Sequence, residues 1–574
     1  MNKLLPMRLS IIVSALLMVC ALSVTTVTLY VLVISHWHGP FRDMWEIYPF
    51  LQKIMSGTWD ISDLWESYGY SHRLFIPRLL FIADHRFFYA TNHLLISVSV
   101  LCQILICILF SLLLFKTNSL ATIEKYGLIA VVICLQFSGT LLFNLMHTFD
   151  VQWFLCCLFI VLAFYRLSEL SLSEPSVNLN IVLSGIFIVL ACLCNFSAMA
   201  AWPIWLVLLI LKLKDLKLKS TLIALAIVFI YFYVAGIRSE AMAHGSIAEL
   251  FRLVSYIFIA FPFAYLSNPL SDSEFIPFRY WGVIITLPAM YVLAWFWWNY
   301  FFNRDANNKN QLHLFLACIG LFGYGVAVIT AIGRGYDPSH VKAMRYQNIV
   351  LLFWSAIILL AILESNAMGI IKKYLLRATC VSVLSGFLWC QPLSWNQNVW
   401  LGYQVNRAHL ALMMGFSKEV PMIAPTVSRS MIYVPGYNLE RERVLYEKAR
   451  EGIYQGEAGR LWLDGVSLAS ISNVCQDITW ALSPYEGAYT RYTSFSVSGN
   501  TSHFKIAALL DSGGKVLAMA IPEGANNFVD ALRFTLGIKN PVMRGFAVSE
   551  VKPAALVLFQ GELASDACKL SLSN

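Results

Sequence analysis

Eleven apolar runs decide what this chain can fold into. They fall near 10–34, 93–115, 126–143, 151–168, 180–197, 199–211, 220–237, 278–300, 312–332, 346–363 and 374–391. A run of about 20 residues with almost no charge has no place in a water-soluble fold, and a helix of that length spans the hydrocarbon of a bilayer. Composition agrees: the chain is 58% hydrophobic and 13% charged, against about 25% charged for ordinary globular domains. That excludes a soluble enzyme, a disordered chain and a nucleic-acid-binding domain. The expected fold is an α-helical polytopic membrane protein with about eleven transmembrane helices.

The charge divides the chain in two. Residues 1–392 hold 25 Lys+Arg and 18 Asp+Glu, whereas residues 393–574 hold 16 and 15 at about one and a half times the density. We expect a membrane domain over 1–392 and an extramembrane domain over 393–574. Two cysteines, Cys475 and Cys568, lie in the tail, and eleven lie before it in mostly apolar runs. A lone pair in a tail suggests a disulfide and an oxidising compartment. No Cys or His spacing fits a zinc site, so neither metal nor other cofactor is expected.

Lys3 and Arg8 precede the first run and a lysine cluster, KLKDLKLKS, falls within 211–220, which places those flanks inside. The N-terminal run is too long for a signal-peptide core and reads as an uncleaved span. Segment 250–268 is read as dipping in or lying at the outer surface, which leaves the tail outside, as in the periplasm of a bacterial inner membrane. On this topology the outer flanks before the tail carry nine arginines and two lysines. External arginine runs against the usual topology signal. Its planar fork suits bidentate phosphate binding and holds its charge near lipid; snorkelling to headgroups is the alternative use.

The first external loop, 35–92, is much longer than an ordinary connection and alternates aromatics with charge. Asp43 and Glu46 follow the first span closely, where a carboxylate is placed to act as general base toward a hydroxyl beside the membrane. An acidic residue just past the first span, followed by an HR pair and a further Arg, resembles the C-type (GT-C) glycosyltransferases. Those are polytopic enzymes that use polyprenyl-phosphate sugars. The residues that carry the resemblance are FRDMWE (41–46), SHR (71–73), PRL (77–79), HTFDVQW (147–153), GRG (333–335) and MRY (344–346), within residues 10–365.

The resemblance implies Asp43 as catalytic base, with Glu46 as the alternative. A lipid-linked donor needs cations on its phosphate, for which Arg73, Arg78, Arg334 and Arg345 are the candidates; His72, His147 and Gln152 are placed in the acceptor cleft, and Asp150 there either orients His147 or an arginine or caps the following helix. Asp43 is followed by Met44 rather than a second acid, which departs from protein O-mannosyltransferases. The expected partners are a polyprenyl-phosphate-linked sugar, an envelope glycan, lipid or protein acceptor, and membrane lipid, with no nucleic acid. An O-antigen polymerase or ligase, or a flippase for lipid-linked sugars, is the alternative.

The tail opens with the connector QPLSWNQNVW and a helix around 405–416, then a charged helix over 438–456. Alternating, turn-rich segments follow 485, with SGG at 512–514 as a hairpin turn. This reads as an α+β or β-sandwich-like domain, either an acceptor-recognition element or lid, or a stabilising cap.

Overall fold

The computed structural model describes residues 4–37, 41–68, 72–88, 91–169, 176–235, 253–268, 270, 278–302, 311–334, 343–365, 369–413, 467–484, 492–523, 528–536, 538–548, 553–560 and 567–571. The described chain is mostly helical up to residue 413. It divides into two compact units, one formed by 1–29, 60–79 and 96–391, the other by 30–59, 80–95 and 392–574. Two stretches of the first loop thus belong to the unit that contains the tail.

Eight described segments are long and apolar enough to cross a membrane: Ser10–Ser35, His93–Lys116, Thr122–Met146, Thr148–Ser168, Leu216–Val234, Val283–Phe302, Gln311–Gly333 and Met344–Ser365. That is the make-up of a multi-pass membrane protein. The runs expected at 180–197 and 199–211 form the shorter apolar helices Asn178–Cys192 and Phe196–Lys212, and the ambiguous segment forms Leu253–Ser267. Asn195, whose side chain accepts the Ser197 N–H at 2.9 Å, starts a new turn there and ends the first of these helices early.

The helices that follow the first loop are α5 (His93–Lys116), α6 (Thr122–Gln136), α7 (Leu142–Met146), α8 (Val151–Ser168), α9 (Ser176–Cys192), α10 (Ala201–Lys212), α11 (Leu216–Val234), α12 (Phe261–Ser267), α13 (Phe278–Phe302), α14 (Gln311–Arg334) and α15 (Gln347–Ser365). Burial ranks them. The apolar window of Met344–Ser365 is 94% buried and that of Leu216–Val234 only 11%, so α15 lies at the centre and α11 presents its side chains outward. α14 closes on α15 through Gly323, where an added Cβ would come within 2.9 Å of the Phe353 side chain.

The first loop forms short pieces. Arg42–Ile47 is a 3-10 turn, followed by α2 (Tyr48–Met55) and α3 (Ile61–Trp65). Asp60 caps α3, accepting from Ser62 N while Asp63 accepts from Asp60 N. A two-residue hairpin, β1 (Ser67–Tyr68) with β2 (His72–Arg73), leads into α4 (Phe75–Phe87). Buried Asp84 of α4 accepts the backbone N–H groups of Asn92 and Leu94, both at 3.2 Å, and so caps the start of α5. Burial pushes its carboxyl up to about 6.

The expected stop after residue 391 does not occur: α16 runs unbroken over Ile370–Met413, through Pro392. The polar connector and the helix expected around 405–416 are its continuation. Near its C-terminal half Gly402 packs on the end of α1 (Leu4–Ser35), where a Cβ would lie 2.1 Å from the Ser35 carbonyl oxygen; only glycine fits. The helix expected over 438–456 lies outside the described residues.

The tail folds into one eight-stranded sheet, ordered β3-β10-β9-β6-β7-β8-β5-β4, with helix α17 (Phe528–Thr535). The strands are β3 (Asn473–Val474), β4 (Ile478–Pro484), β5 (Tyr492–Gly499), β6 (Ile506–Leu510), β7 (Val516–Pro522), β8 (Met543–Val548), β9 (Ala555–Phe559) and β10 (Ala567–Ser571). Every pairing is antiparallel except β3 with β10. The described strands thus form one sheet and not two facing ones. Asp511 Oδ1 accepts from Gly513 N and Lys515 N to shape the SGG turn between β6 and β7. Phe495, Val497, Leu509, Met543, Leu556 and Leu558 build one core face. Cys475 and Cys568 are bonded on that face, joining positions 93 apart in the chain.

Candidate functional site

The connection between α6 and α8 is where the first unit departs from ordinary membrane-protein construction. Turns between spans normally lie at the surface, because backbone and polar side chains need water. Here every residue from 134 to 158 is buried, although the segment contains Gln136, Ser138, Thr140, Asn144, His147, Thr148, Asp150 and Gln152. The chain makes room for them by breaking into short pieces. Ser138 caps a 3-10 turn over Gly139–Leu141, α7 follows, and a second 3-10 turn over Thr148–Asp150 leads into α8.

The buried polar groups answer one another. His147 Nδ1 donates to Asp150 Oδ2 at 3.0 Å, with both side chains 5% exposed or less. Asn195 donates to Gln152 Oε1 at 2.9 Å. Gln136 donates to Ser355 Oγ of α15 at 2.9 Å. Gln391 accepts from Gly139 N and donates to Ser138 Oγ. The carboxylate of Asp150 therefore fixes the His147 imidazole, as a helix-capping role would not.

The MRY turn, Met344–Tyr346, opens α15 against this segment. The Tyr346 ring meets Trp153 edge-on at 5.7 Å and lies 4.9 Å from Tyr265 of α12. Asn144 Nδ2 donates to Asn348 Oδ1 at 3.1 Å. Two motifs read separately in the sequence, HTFDVQW and MRY, thus share one interior. Half-buried Arg345 lies with its guanidinium carbon 5.5 Å from the centre of the Tyr346 ring. Asn144 Oδ1, Asn348 Nδ2 and Gln347 Oε1 are buried without a hydrogen-bond partner. Flipping both amides leaves the count unchanged, since one acceptor and one donor remain open either way.

Arg73 and Arg78 lie elsewhere in this unit, and backbone carbonyls occupy them. Arg73 donates to the carbonyls of Trp65 (2.6 Å), Tyr233 (2.9 Å) and Ala235 (2.5 Å), and stacks over the Trp65 ring at 4.9 Å. Arg78 donates to the carbonyls of Asp63 and Glu66. Both are buried, and burial lowers both from the usual arginine value; a guanidinium stays charged regardless. In this arrangement Arg73 ties the hairpin of the first loop to the end of α11, and Arg78 ties α4 to α3. His72 sits half-buried beside Arg73 on β2.

In the other unit, Asp43 is half-buried in the first turn of the 3-10 segment Arg42–Ile47, between buried Phe41 and Met44. Glu46 lies in the same segment; its side chain is outside the described residues, as is that of Arg334 at the end of α14. Among the described residues no three His, Cys, Asp or Glu side chains are grouped to hold a metal.

Sequence reasoning missed Asn144, Asn195, Gln347 and Asn348. Their signal was present: amides inside apolar stretches, as in LLFNLM and YQNIVLL. No family model matches the chain, and no curated protein or solved structure matches it.

Proposed function

We propose that this chain is an integral membrane glycosyltransferase that moves a sugar from a polyprenyl-phosphate donor to an envelope acceptor on the outer face. The observation that carries the reading is the buried polar turn over 136–152 with the MRY turn against it. A cluster of amides, an imidazole–carboxylate pair, an arginine and three aromatic rings stands inside an otherwise apolar bundle. Polar groups within a membrane bundle are costly and mark sites of function. Amides and aromatic faces are also the groups that recognise sugar hydroxyls and the apolar faces of sugar rings.

In the proposed reaction the acceptor hydroxyl oxygen attacks the anomeric carbon, the bond from that carbon to the phosphate oxygen breaks, and polyprenyl phosphate leaves. Asp43 takes the hydroxyl proton. Arg345 and Arg334 are the cations assigned to the leaving phosphate, a role of electrostatic catalysis, while Arg73 and Arg78 hold the first loop. On this reading the chain has about eleven spans in a bacterial inner membrane, with the tail in the periplasm.

The test is Asp43→Asn in proteoliposomes supplied with radiolabelled polyprenyl-phosphate sugars and envelope acceptors. Loss of a general base costs about 10²–10⁴-fold, so transfer should nearly vanish while the donor still binds. Glu46→Gln should cost much less. Unchanged transfer in both variants refutes the proposal at its centre.

A further inference from the structure

Helix α17 carries an apolar face that the sheet does not use. Val529, Leu532 and Leu536, spaced i, i+3 and i+7, are 54%, 38% and 62% exposed, and Ile538 just beyond is 70% exposed. The opposite side is anchored. Ala531 is buried, and its carbonyl oxygen accepts from the Tyr30 hydroxyl at 3.3 Å. The Thr535 hydroxyl also bonds the Tyr30 hydroxyl. Arg533 and Lys539 stand beside Asp530 at 3.5 and 3.7 Å with both cations about half exposed.

Tyr30 supplies the second observation, because it belongs to a candidate membrane span, Ser10–Ser35. It lies five residues before the end of that helix, roughly 7–8 Å along the axis at 1.5 Å per residue. A helix whose backbone bonds Tyr30 therefore sits at the depth of the membrane–water boundary, where tyrosine hydroxyls gather. Val33 and Ile34 on the last turn of α1 are also exposed.

We infer that α17 is an interfacial helix: it lies in the leaflet that the C-terminal end of α1 reaches, with Val529, Leu532, Leu536 and Ile538 among the acyl chains and Arg533 and Lys539 at the headgroups. A short helix with an apolar face flanked by cations is built for that position. The surface then fits lipid rather than a second protein, because a protein partner would have to reach it at membrane depth. The inference requires α1 to cross the membrane and is independent of the enzymatic reading; it makes the sheet domain a membrane-docked element and not a free one.

The experiment uses the full chain in nanodiscs of phosphatidylethanolamine and phosphatidylglycerol, with a nitroxide at Leu536→Cys. Lys515→Cys, on the exposed β6–β7 turn of the same sheet, is the water-facing comparison, and the unsubstituted chain gives the background from native thiols. Collision with oxygen should rise and collision with a water-soluble nickel chelate should fall at 536, raising their ratio several-fold above that at 515. Val529→Cys, on the same face, should behave like 536. An equal ratio at 536 and 515 overturns the inference, since the face is then in water. Low collision with both reagents also overturns it, since protein then covers the face.

Discussion

Replacing Arg73 by alanine separates a bracing arginine from a ligand-binding one. The wild-type guanidinium makes three hydrogen bonds to backbone carbonyls of Trp65, Tyr233 and Ala235 and a cation–π contact with Trp65. Bonds to a charged donor are worth about 1.5–3 kcal/mol each, and the truncation strands buried carbonyls at about 1–3 kcal/mol apiece. These terms do not add, and losing one partner of a buried charged contact typically costs about 3–5 kcal/mol. Detergent-solubilised Arg73→Ala, heated in steps and read as the fraction still monodisperse on size exclusion, should lose its fold well below the wild-type temperature. Arg73→Lys should fall between, because one ammonium cannot serve three divergent carbonyls. Trp65→Leu keeps the three bonds and should cost only about 0.5–2 kcal/mol. A bracing role for Arg73 is refuted if Arg73→Ala melts with wild type yet no longer binds a polyprenyl-phosphate lipid; the guanidinium would then serve the ligand.

Three further outcomes follow from named contacts. Asp84, pushed up to about 6 by burial, binds its proton more tightly folded than unfolded, so its contribution is full below about pH 4 and is lost as pH rises through about 6; the difference is about 3 kcal/mol. Asp84→Asn should flatten the stability–pH profile over that window, and an unchanged slope refutes the assignment. Opening the Cys475–Cys568 bond, which closes a loop of 93 residues, should destabilise the tail by about 4–5 kcal/mol in the chain-entropy view, read as faster proteolysis of the sheet under reductant. In intact cells an impermeant thiol reagent should label these two cysteines only after reduction, and labelling only after lysis refutes an external tail. Asn144→Leu with Asn348→Leu removes both amides of the buried pair, which leaves stability nearly unchanged but should weaken binding of the sugar-bearing donor about tens-fold; full binding would show that these amides meet only each other and water.

The helices were legible because the bilayer makes a demand that a short window can register: a long run without charge must be a helix. The strands of the tail were legible where alternation met a turn, as at Lys515–Pro522 after SGG. β8 was not, since it interrupts its apolar pattern with Arg544 and Gly545. Gly545 is there for contact, because a Cβ would lie 1.7 Å from the Met519 carbonyl oxygen on β7. The polar connector QPLSWNQNVW, which contains Pro392, misled in the opposite direction. Proline ends most helices, but here Gln391 donates to the carbonyl of Phe387, four residues back, and bonds Ser138 and Gly139, which holds α16 in place where the pattern suggested a break.

The candidate site was legible as motifs and illegible as an arrangement. Local polarity marked 147–153 and 344–346, but a window cannot tell whether a polar turn faces water or the interior. That depended on Trp153 finding Tyr346 and Asn144 finding Asn348, contacts nearly two hundred residues or more apart. The arginines show the same limit. Their excess on one side of the expected membrane was countable, and phosphate was the partner their geometry suggested. For Arg73 the partner is instead a set of backbone carbonyls, one of them 160 residues away. A carbonyl belongs to every residue and so leaves no trace in sequence. Arg345 is half-buried beside Tyr346, next to amides of Asn144, Gln347 and Asn348 whose hydrogen bonds are unmet. Of the two described sites, the one with open polar groups is therefore the one where a ligand gains most by arriving.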